Sequence, residues 1–473
     1  MLAGAAIAIY QYGAGHGLPV RHVIIISLDT TRADHFGCYG NTWISTPRID
    51  ALASESILFT NYRTVVPTTL ASHTSLFTGK YPHTHGTPRN GFVVNDDNVM
   101  LAEILKEAGF HAAGFLGSFA LDSRFNFAQG FDHYDETFDQ LVGERGADQN
   151  QRSAEAVTDT VIAHLDENGI PPRSMLFVHY FDPHAPYSPP ADYVRSYDPE
   201  AVDGPPHNAA VRRWLAQTPG QVNELARMLG ARYAGEITYM DEHIGRLLDA
   251  LDERGILDEA ILVVVSDHGE DLWDHPQYFN HGLTTYQSSM HAVCMVRMPK
   301  AASGGSRIDD LVGSIDVLPT ILNYLGLSIP KGIDGEAVDL IQGVVPSSPR
   351  TRFGEATKPW NKVETDPRWY NNLKARCVWE GSLKYIRVPY NGSEALYDLA
   401  ADPNERNNLL TSPSPQARAS AKTLRHKLEA WTNSARPLPS TFQPSQRDET
   451  IRRLKSLGYL GGSPSGGKVG EEP

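Results

Sequence analysis

Three apolar runs in this chain each stop at an aspartate, and the residues around two of those stops could hold a metal ion. HVIIISLD (22–29) ends on Asp29, and AILVVVSD (260–267) ends on Asp267, with His268 next in SDHGED. SMLFVHYFD (174–182) ends on Asp182, two residues before His184. Two carboxylates and an imidazole form a hard-to-borderline donor set for a divalent cation. One strand-end Asp is more often a helix N-cap, but three of them, one followed by His-Gly, favour ligation. A hydroxyl completes the set. In VVPTTLASHTSLFTGKYPHTHG (65–86), Pro67 closes an extended stretch and Thr69 falls at the start of a helix with Leu70, Ser75, Leu76 and Phe77. Helix N-termini attract anions through unpaired N–H groups and the dipole. A hydroxyl placed there beside a cation can lose its proton and attack phosphorus or sulfur; its ordinary role would be capping.

For these residues to meet, the three runs must lie side by side. Their continuous β-branched character is that of strands buried on both faces of a parallel sheet. Between the second and third run, Ile237, Met240, Ile244, Leu247, Leu248 and Leu251 recur at the three-and-four spacing of an amphipathic helix, which stops near Gly255. Strands alternating with helices predict an α/β fold in which ligands gather beyond the carboxyl ends of the strands. The three aspartates would then share one rim. After residue 340 the texture changes: PSSP (346–349) precedes shorter β-like pieces at 375–381, 382–389 and 395–399, and a helix is expected near 415–433. These predict a small antiparallel subdomain. The expected organisation is a segment at 1–20, a catalytic domain at 21–340, an α+β subdomain at 341–440 and a tail at 441–473, disordered at its GGSPSGGKVGEEP end.

The chain has 473 residues, enough for two or three domains at roughly 150 residues each. Its 42 basic and 56 acidic side chains give a formal charge of −14, which argues against an extended nucleic-acid-binding face. Three scattered cysteines, Cys38, Cys294 and Cys377, form neither a disulfide framework nor a zinc-ribbon spacing. The apolar stretch at 2–10 is too short to span a bilayer and has no Lys or Arg before it. It is expected to be either a remnant of a signal or anchor, and then the one point of membrane association, or a frayed terminus.

The chain resembles the sulfatase family of the alkaline-phosphatase superfamily. The resemblance rests on HVIIISLDTTRADHFGCYGN, TPRIDALASESILFTN, TSLFTGKYPHTHG, HYFDPHAPY, GEITYMDEHIGRLLDALDERGILDEAILVVVSDHGE, IDVLPTIL and ALYDLAADPNERNNL. It implies a mixed, mostly parallel sheet sandwiched by helices, with a small C-terminal antiparallel-sheet subdomain. It also implies an ester hydrolase, and favours an extracytoplasmic setting. The catalytic motif departs from the pattern. Sulfatases carry C/S-x-P-x-R, whose first residue becomes formylglycine; the matching stretch reads Thr69-Leu70-Ala71-Ser72-His73, and threonine cannot be so converted. Cys38, in GCYGN, lacks the motif. The Lys and His of the family's G-K-W-H segment are absent from Gly117-Ser118-Phe119-Ala120, and Thr30 stands where a second carboxylate is usual.

The pattern resembles the single-metal phosphonate-ester hydrolases and phosphoglycerol transferases of the superfamily. It implies a divalent ion (Mn, Zn or Ca) held by Asp29, Asp267, His268 and Thr69, with Thr69 as covalent nucleophile. A threonine ester lacks the elimination exit of a formylglycine hydrate and must be cleaved at the central atom. That requirement favours phosphoryl over sulfuryl chemistry. His184 matches the family's histidine after the second strand, and His281, in Asn280-His281-Gly282, falls where the family often has an anion-contacting Lys; either could protonate a leaving group. His73 is a candidate for the missing Arg, with packing on a helix face as its alternative. Lys80 and His85 are weaker candidates. One ion is expected, with a second on Asp182, His184 and His281 as the alternative. The substrate is expected to be a small-molecule, glycan or lipid ester. A phosphoryl transferase to a lipid or glycan and a non-catalytic binding protein are the competing readings.

Overall fold

The computed structural model describes residues 20–138, 150–204, 222–275, 279–346, 349–357, 373–411, 414–442 and 447–457. Residues 1–19 and 458–473, where a signal remnant and a disordered end were expected, lie outside them. The three apolar runs form β1 (His22–Leu28), β5 (Ser174–Tyr180) and β6 (Ala260–Ser266), with β1 in the middle and parallel to both neighbours. The eight-stranded sheet also takes in β2 (Ile57–Phe59), β3 (His111–Leu116), β4 (His133–Asp135), β7 (Cys294–Arg297) and β8 (Arg307–Ile308), in the order β8-β2-β7-β6-β1-β5-β3-β4. Only β7 runs against its neighbours. The sheet is therefore mixed and mostly parallel: the runs predicted its parallel centre, and the family resemblance implied the mixed whole.

Both faces are covered, which is why the central strands read as unbroken apolar runs. On one face Ile24, Ile26, Leu176, Val178, Leu262 and Val264 meet α2 (Ala154–Asn168) and α3 (Val222–Glu253). The six apolar positions predicted for α3 all lie in this cluster. On the other face Val23, Ile25, Phe177, Val263 and Val265 meet α1 (Thr69–Thr78) and α4 (Val317–Tyr324). Each such aliphatic side chain, fully buried, stabilises the fold by about 1.5–3 kcal/mol.

The C-terminal region forms a four-stranded antiparallel sheet, β9 (Thr351–Glu355), β10 (Arg376–Glu380), β11 (Leu383–Val388) and β12 (Ser393–Asp398). It is backed by α5 (Pro415–Asn433), which buries Leu424, Leu428 and Trp431 against Val378, Tyr385 and Leu396. The same cluster reaches Val65, Val66 and Ala71 around the start of α1, so the small sheet braces the loop that leads to Thr69. A last helix, α6 (Arg447–Ser456), follows. Among the described residues, no helix is long and apolar enough to cross a membrane.

Candidate active site

Strand parity sets the site. Successive side chains on a strand point to opposite faces. Asp29 and Asp267 continue the α1-facing rows of β1 and β6, because the ladder runs one step past the strand ends: Asp29 N donates to Tyr180 O at 2.9 Å and Asp267 N to Leu28 O at 3.3 Å. Thr30 then turns the chain sharply at φ 50°, in the left-handed region that a β-branched residue rarely occupies. The turn aims the Thr30 N–H at Asp267 Oδ1, 3.1 Å away. Donor atoms of Asp29, Asp267 and His268 lie within 4.8 Å of one another.

Helix α1 carries the hydroxyl. Thr68 is its N-cap and all ten residues from Thr69 to Thr78 are buried. Its polar side chains are matched one by one: Ser72 Oγ donates to Asp267 O at 2.7 Å, and Thr74 and Thr78 bond back to Leu70 O and Thr74 O. Thr69 itself hydrogen-bonds to the Asp29 side chain. The sequence-predicted hydroxyl and the predicted carboxylate therefore meet.

The electrostatics point to a missing positive charge. Burial raises the Asp29 carboxyl well above its usual range, against the Thr69 hydrogen bond, and Glu270 adds to the rise. Burial does the same to Asp267, with Asp29 adding to it while the N–H groups of Thr30 and His268 oppose it. Two carboxyl groups this close do not both ionise without a cation. Asp29 Oδ1, Asp267 Oδ2 and His268 Nε2 are each buried without a hydrogen-bond partner. His268 donates its Nδ1–H to Gly269 O at 2.9 Å, which leaves Nε2 as a lone pair facing Asp267 Oδ2 at 3.4 Å. A ligating histidine is commonly oriented by such a bond on its other nitrogen. Three orphaned donors of these types fit a divalent cation.

Around this centre lie the predicted His184 and His281 together with His179, Glu270 and Asn90, which were not singled out from the sequence. His179, on β5, faces the same side as Asp29 and approaches its Oδ2 at 3.2 Å through Nε2. Burial, and then the charge of Arg152, push its imidazole down to about 3, so it is neutral. Counting in twos along β5 from its register with Ser27 would have found it. Glu270, in the quoted SDHGED, accepts from Tyr187 Oη at 3.0 Å and from His281 Nδ1 at 3.2 Å. The His281 ring centre is 4.5 Å from that of His268 and 5.3 Å from that of His184. His184 stacks on Phe181 and donates Nδ1–H to Ala185 O at 2.7 Å. Asn90 accepts from Leu70 N through Oδ1 at 2.7 Å, satisfying an N–H in the first turn of α1. This fixes its other atom, Nδ2, as a buried donor with no partner.

Other candidates take different places. His73 donates Nδ1–H to Thr69 O at 2.8 Å and accepts from Ser27 Oγ at 2.7 Å, wedged between Phe127, Phe177 and His179. Both nitrogens are engaged, as the packing alternative has it, and Nδ1 also lies 3.7 Å from Asp267 Oδ2. His85 bonds to Ser75 Oγ and Thr87 N, and Lys80 to Asn98 Oδ1. The second-ion set is not assembled. Among the described residues, Asp29, Asp267 and His268 are the one such cluster of three, and Asp182 does not join His184 and His281. Parity explains this. Phe181 points to the α1 face, so Asp182 shares the opposite side with Tyr180, where its charge acts on Tyr180 and on His243 of α3.

Comparison with known proteins gives a consistent picture. The family model described as sulfatase matches residues 21–327, and the model described as N-sulphoglucosamine sulphohydrolase, C-terminal, matches residues 275–434. An arylsulfatase of Clostridium perfringens is 25% identical over 449 residues, covering 83% of this chain and 90% of that protein. An ulvan-active sulfatase of Formosa agariphila is 26% identical over 433 residues, covering 87% of this chain and 80% of its own. Among solved structures, a phosphonate monoester hydrolase of Agrobacterium radiobacter superposes with a TM-score of 0.69 at 22% identity, covering 87% of this chain and 96% of that one.

Proposed function

The chain belongs to the sulfatase family, and on that footing we propose that it is a metal-dependent hydrolase of phosphate, phosphonate or sulfate esters that works through a covalent Thr69 intermediate. The carrying observation is the Thr69 hydroxyl hydrogen-bonded to Asp29 beside the orphaned donors of Asp267 and His268. Asp29, Asp267, His268 and Thr69 would hold the ion, which when bound supplies a Lewis acid that acidifies the hydroxyl and draws charge from a non-bridging oxygen.

The chain's own groups do the rest. Thr69 sits in the first turn of α1, at the positive end of the helix dipole, which favours a bound anion. The Thr69 hydroxyl gives its proton to Asp29, to which it is hydrogen-bonded, and its Oγ bonds to the central atom as the ester oxygen leaves. His281, backed by Glu270 at Nδ1, holds a proton at Nε2 for that leaving oxygen. His184, whose Nδ1–H is committed to Ala185, offers Nε2 as the acceptor for a proton from water. Water then attacks the central atom, and Thr69 Oγ leaves and takes its proton back from Asp29. A plain threonine ester must be cleaved at that atom, so phosphorus is favoured over sulfur.

The test is a panel of bis(4-nitrophenyl) phosphate, 4-nitrophenyl phenylphosphonate and 4-nitrophenyl sulfate against metal-stripped enzyme reloaded with Mn, Zn or Ca. Turnover restored by one ion, highest on a phosphorus ester, is expected. Silence on all three would refute the reading. Transfer to an added alcohol in preference to water would make it a transferase.

A further inference from the structure

Residues 435–442 lie between α5 and α6 in a stretch rich in Pro and Ser, and they run back along the segment 83–95 that carries Asn90. Arg436 N donates to His83 O and Leu438 N to Thr84 O, each at 3.2 Å, and Val93 N donates to Thr441 O at 2.9 Å. Asn95 Nδ2 reaches Pro439 O at 2.8 Å and Ser440 Oγ reaches Val93 O at 2.6 Å. Phe442 pairs with Phe92 in an antiparallel bridge, their rings 5.7 Å apart and edge to face. The Arg89 guanidinium, almost wholly buried, lies 5.2 Å from the Phe92 ring and 5.4 Å from that of Phe442.

The two chain segments touch so closely that only glycine fits. At Gly86 a Cβ would sit 2.0 Å from Leu438 O; at Gly91 it would sit 2.5 Å from Phe442 and 2.8 Å from Leu454 of α6. Both glycines have positive φ as well. Arg89 and Gly91, which flank Asn90 in the chain, thus both lie against Phe442 from the far end of the chain. Asn90 bonds to Leu70 N, next to Thr69, and keeps its Nδ2 donor buried and unpartnered.

We propose that residues 435–442 are a positioning strap for the active site, acting through Asn90 on the first turn of α1. Phe442 is the residue that transmits the strap's hold, by packing against Arg89 and Gly91, the neighbours of Asn90 in the chain. The proposal rests on the Thr69 reading for its kinetic arm and not for its structural one.

The test uses full-length Phe442→Ala, Phe442→Tyr, Asn90→Ala and the Phe442→Ala/Asn90→Ala pair, all with 4-nitrophenyl phenylphosphonate and hydrogen–deuterium exchange. Phe442→Ala is expected to lower kcat by about 10–100-fold, the scale of a displaced positioning group, with KM changed less than about threefold. Phe442→Tyr keeps the ring and should restore kcat to within about threefold. In the pair, Phe442→Ala should add almost nothing to the loss from Asn90→Ala. The Leu70 amide should exchange faster in Phe442→Ala while amides of β11 do not change. Multiplying kinetic losses, or a Leu70 amide that exchanges as in the parent, would overturn the strap. A parent enzyme inactive on this ester and on the others in the panel would refute only the ester-hydrolase reading; the exchange result still decides the strap.

Discussion

Replacing Thr69 with Val exchanges one hydroxyl for one methyl in a position with no solvent exposure. The shape is kept, so the change isolates the oxygen. Structurally it removes the hydrogen bond to Asp29. Leaving a buried acceptor unmatched costs about 1–3 kcal/mol. Folded domains carry about 5–15 kcal/mol of stability, so the variant should remain folded with a lower Tm. Catalytically the loss is larger. Removing a nucleophile that works as a unit with its partners costs on the order of 10⁴–10⁶ in kcat, or about 5–8 kcal/mol at 1.36 kcal/mol per decade. Thr69→Ser makes the opposite cut, keeping the oxygen and losing a buried methyl. It should cost about 1 kcal/mol of stability and keep kcat within about tenfold. The assays are kcat/KM on the three aryl esters, thermal unfolding by circular dichroism, and mass spectrometry of acid-quenched turnover for an adduct on the α1 peptide. A folded Thr69→Val enzyme within tenfold of the parent, or an adduct on another residue, would refute the reasoning.

Asp267→Asn should abolish tightly held metal by elemental analysis, because it removes one of two carboxylates facing the same point; unchanged metal content would contradict the ligand set. Glu270→Gln loosens His281 and should slow esters with basic leaving groups by about 10–100-fold while sparing 4-nitrophenyl esters, so an equal effect on both would dismiss the acid role. Asp271 offers a pH test outside catalysis. Burial, and then the nearby Asp274, raise its carboxyl to about 8. A raised folded-state value means the neutral carboxyl's stability is complete below about pH 4 and is lost as pH rises through about 8, at up to about 1.4 kcal/mol per pH unit. Asp271→Asn stays neutral, so its Tm relative to the parent should climb between pH 4 and 8 and level off above. A flat difference across that range would disprove the shift.

The central strands, helix α3, helix α5 and three strands of the small sheet were legible because each follows a single period or an unbroken apolar run. The meeting of Asp29, Asp267, His268 and Thr69 could be expected from strand ends on one rim. β9 was not legible, because its buried positions include charged side chains. Arg352 pairs with Asp316 and Glu355 with Lys374, so the usual alternation of apolar and polar residues is inverted. Asp182 was placed on the shared rim because a strand end was treated as a point with no faces. Its distance from His179, an odd number of residues, already assigns it to the other side. Asn90 leaves no mark of its own, since its role depends on a backbone N–H twenty residues earlier. Phe442 and α6 fell in a stretch expected to be a tail, because long-range aromatic contacts have no local period.

The proposed nucleophile rides on a helix that has no outside. Every residue of α1 is buried, with Leu70, Leu76 and Phe77 in the core under the sheet and Ala71 against the small antiparallel layer. Each hydroxyl it carries beyond Thr69 already serves the interior. A helix so enclosed has little freedom to change in sequence without disturbing the chemistry. Divergence toward new esters would therefore have to be written outside α1, and a library meant to redirect this enzyme should leave 69–78 untouched.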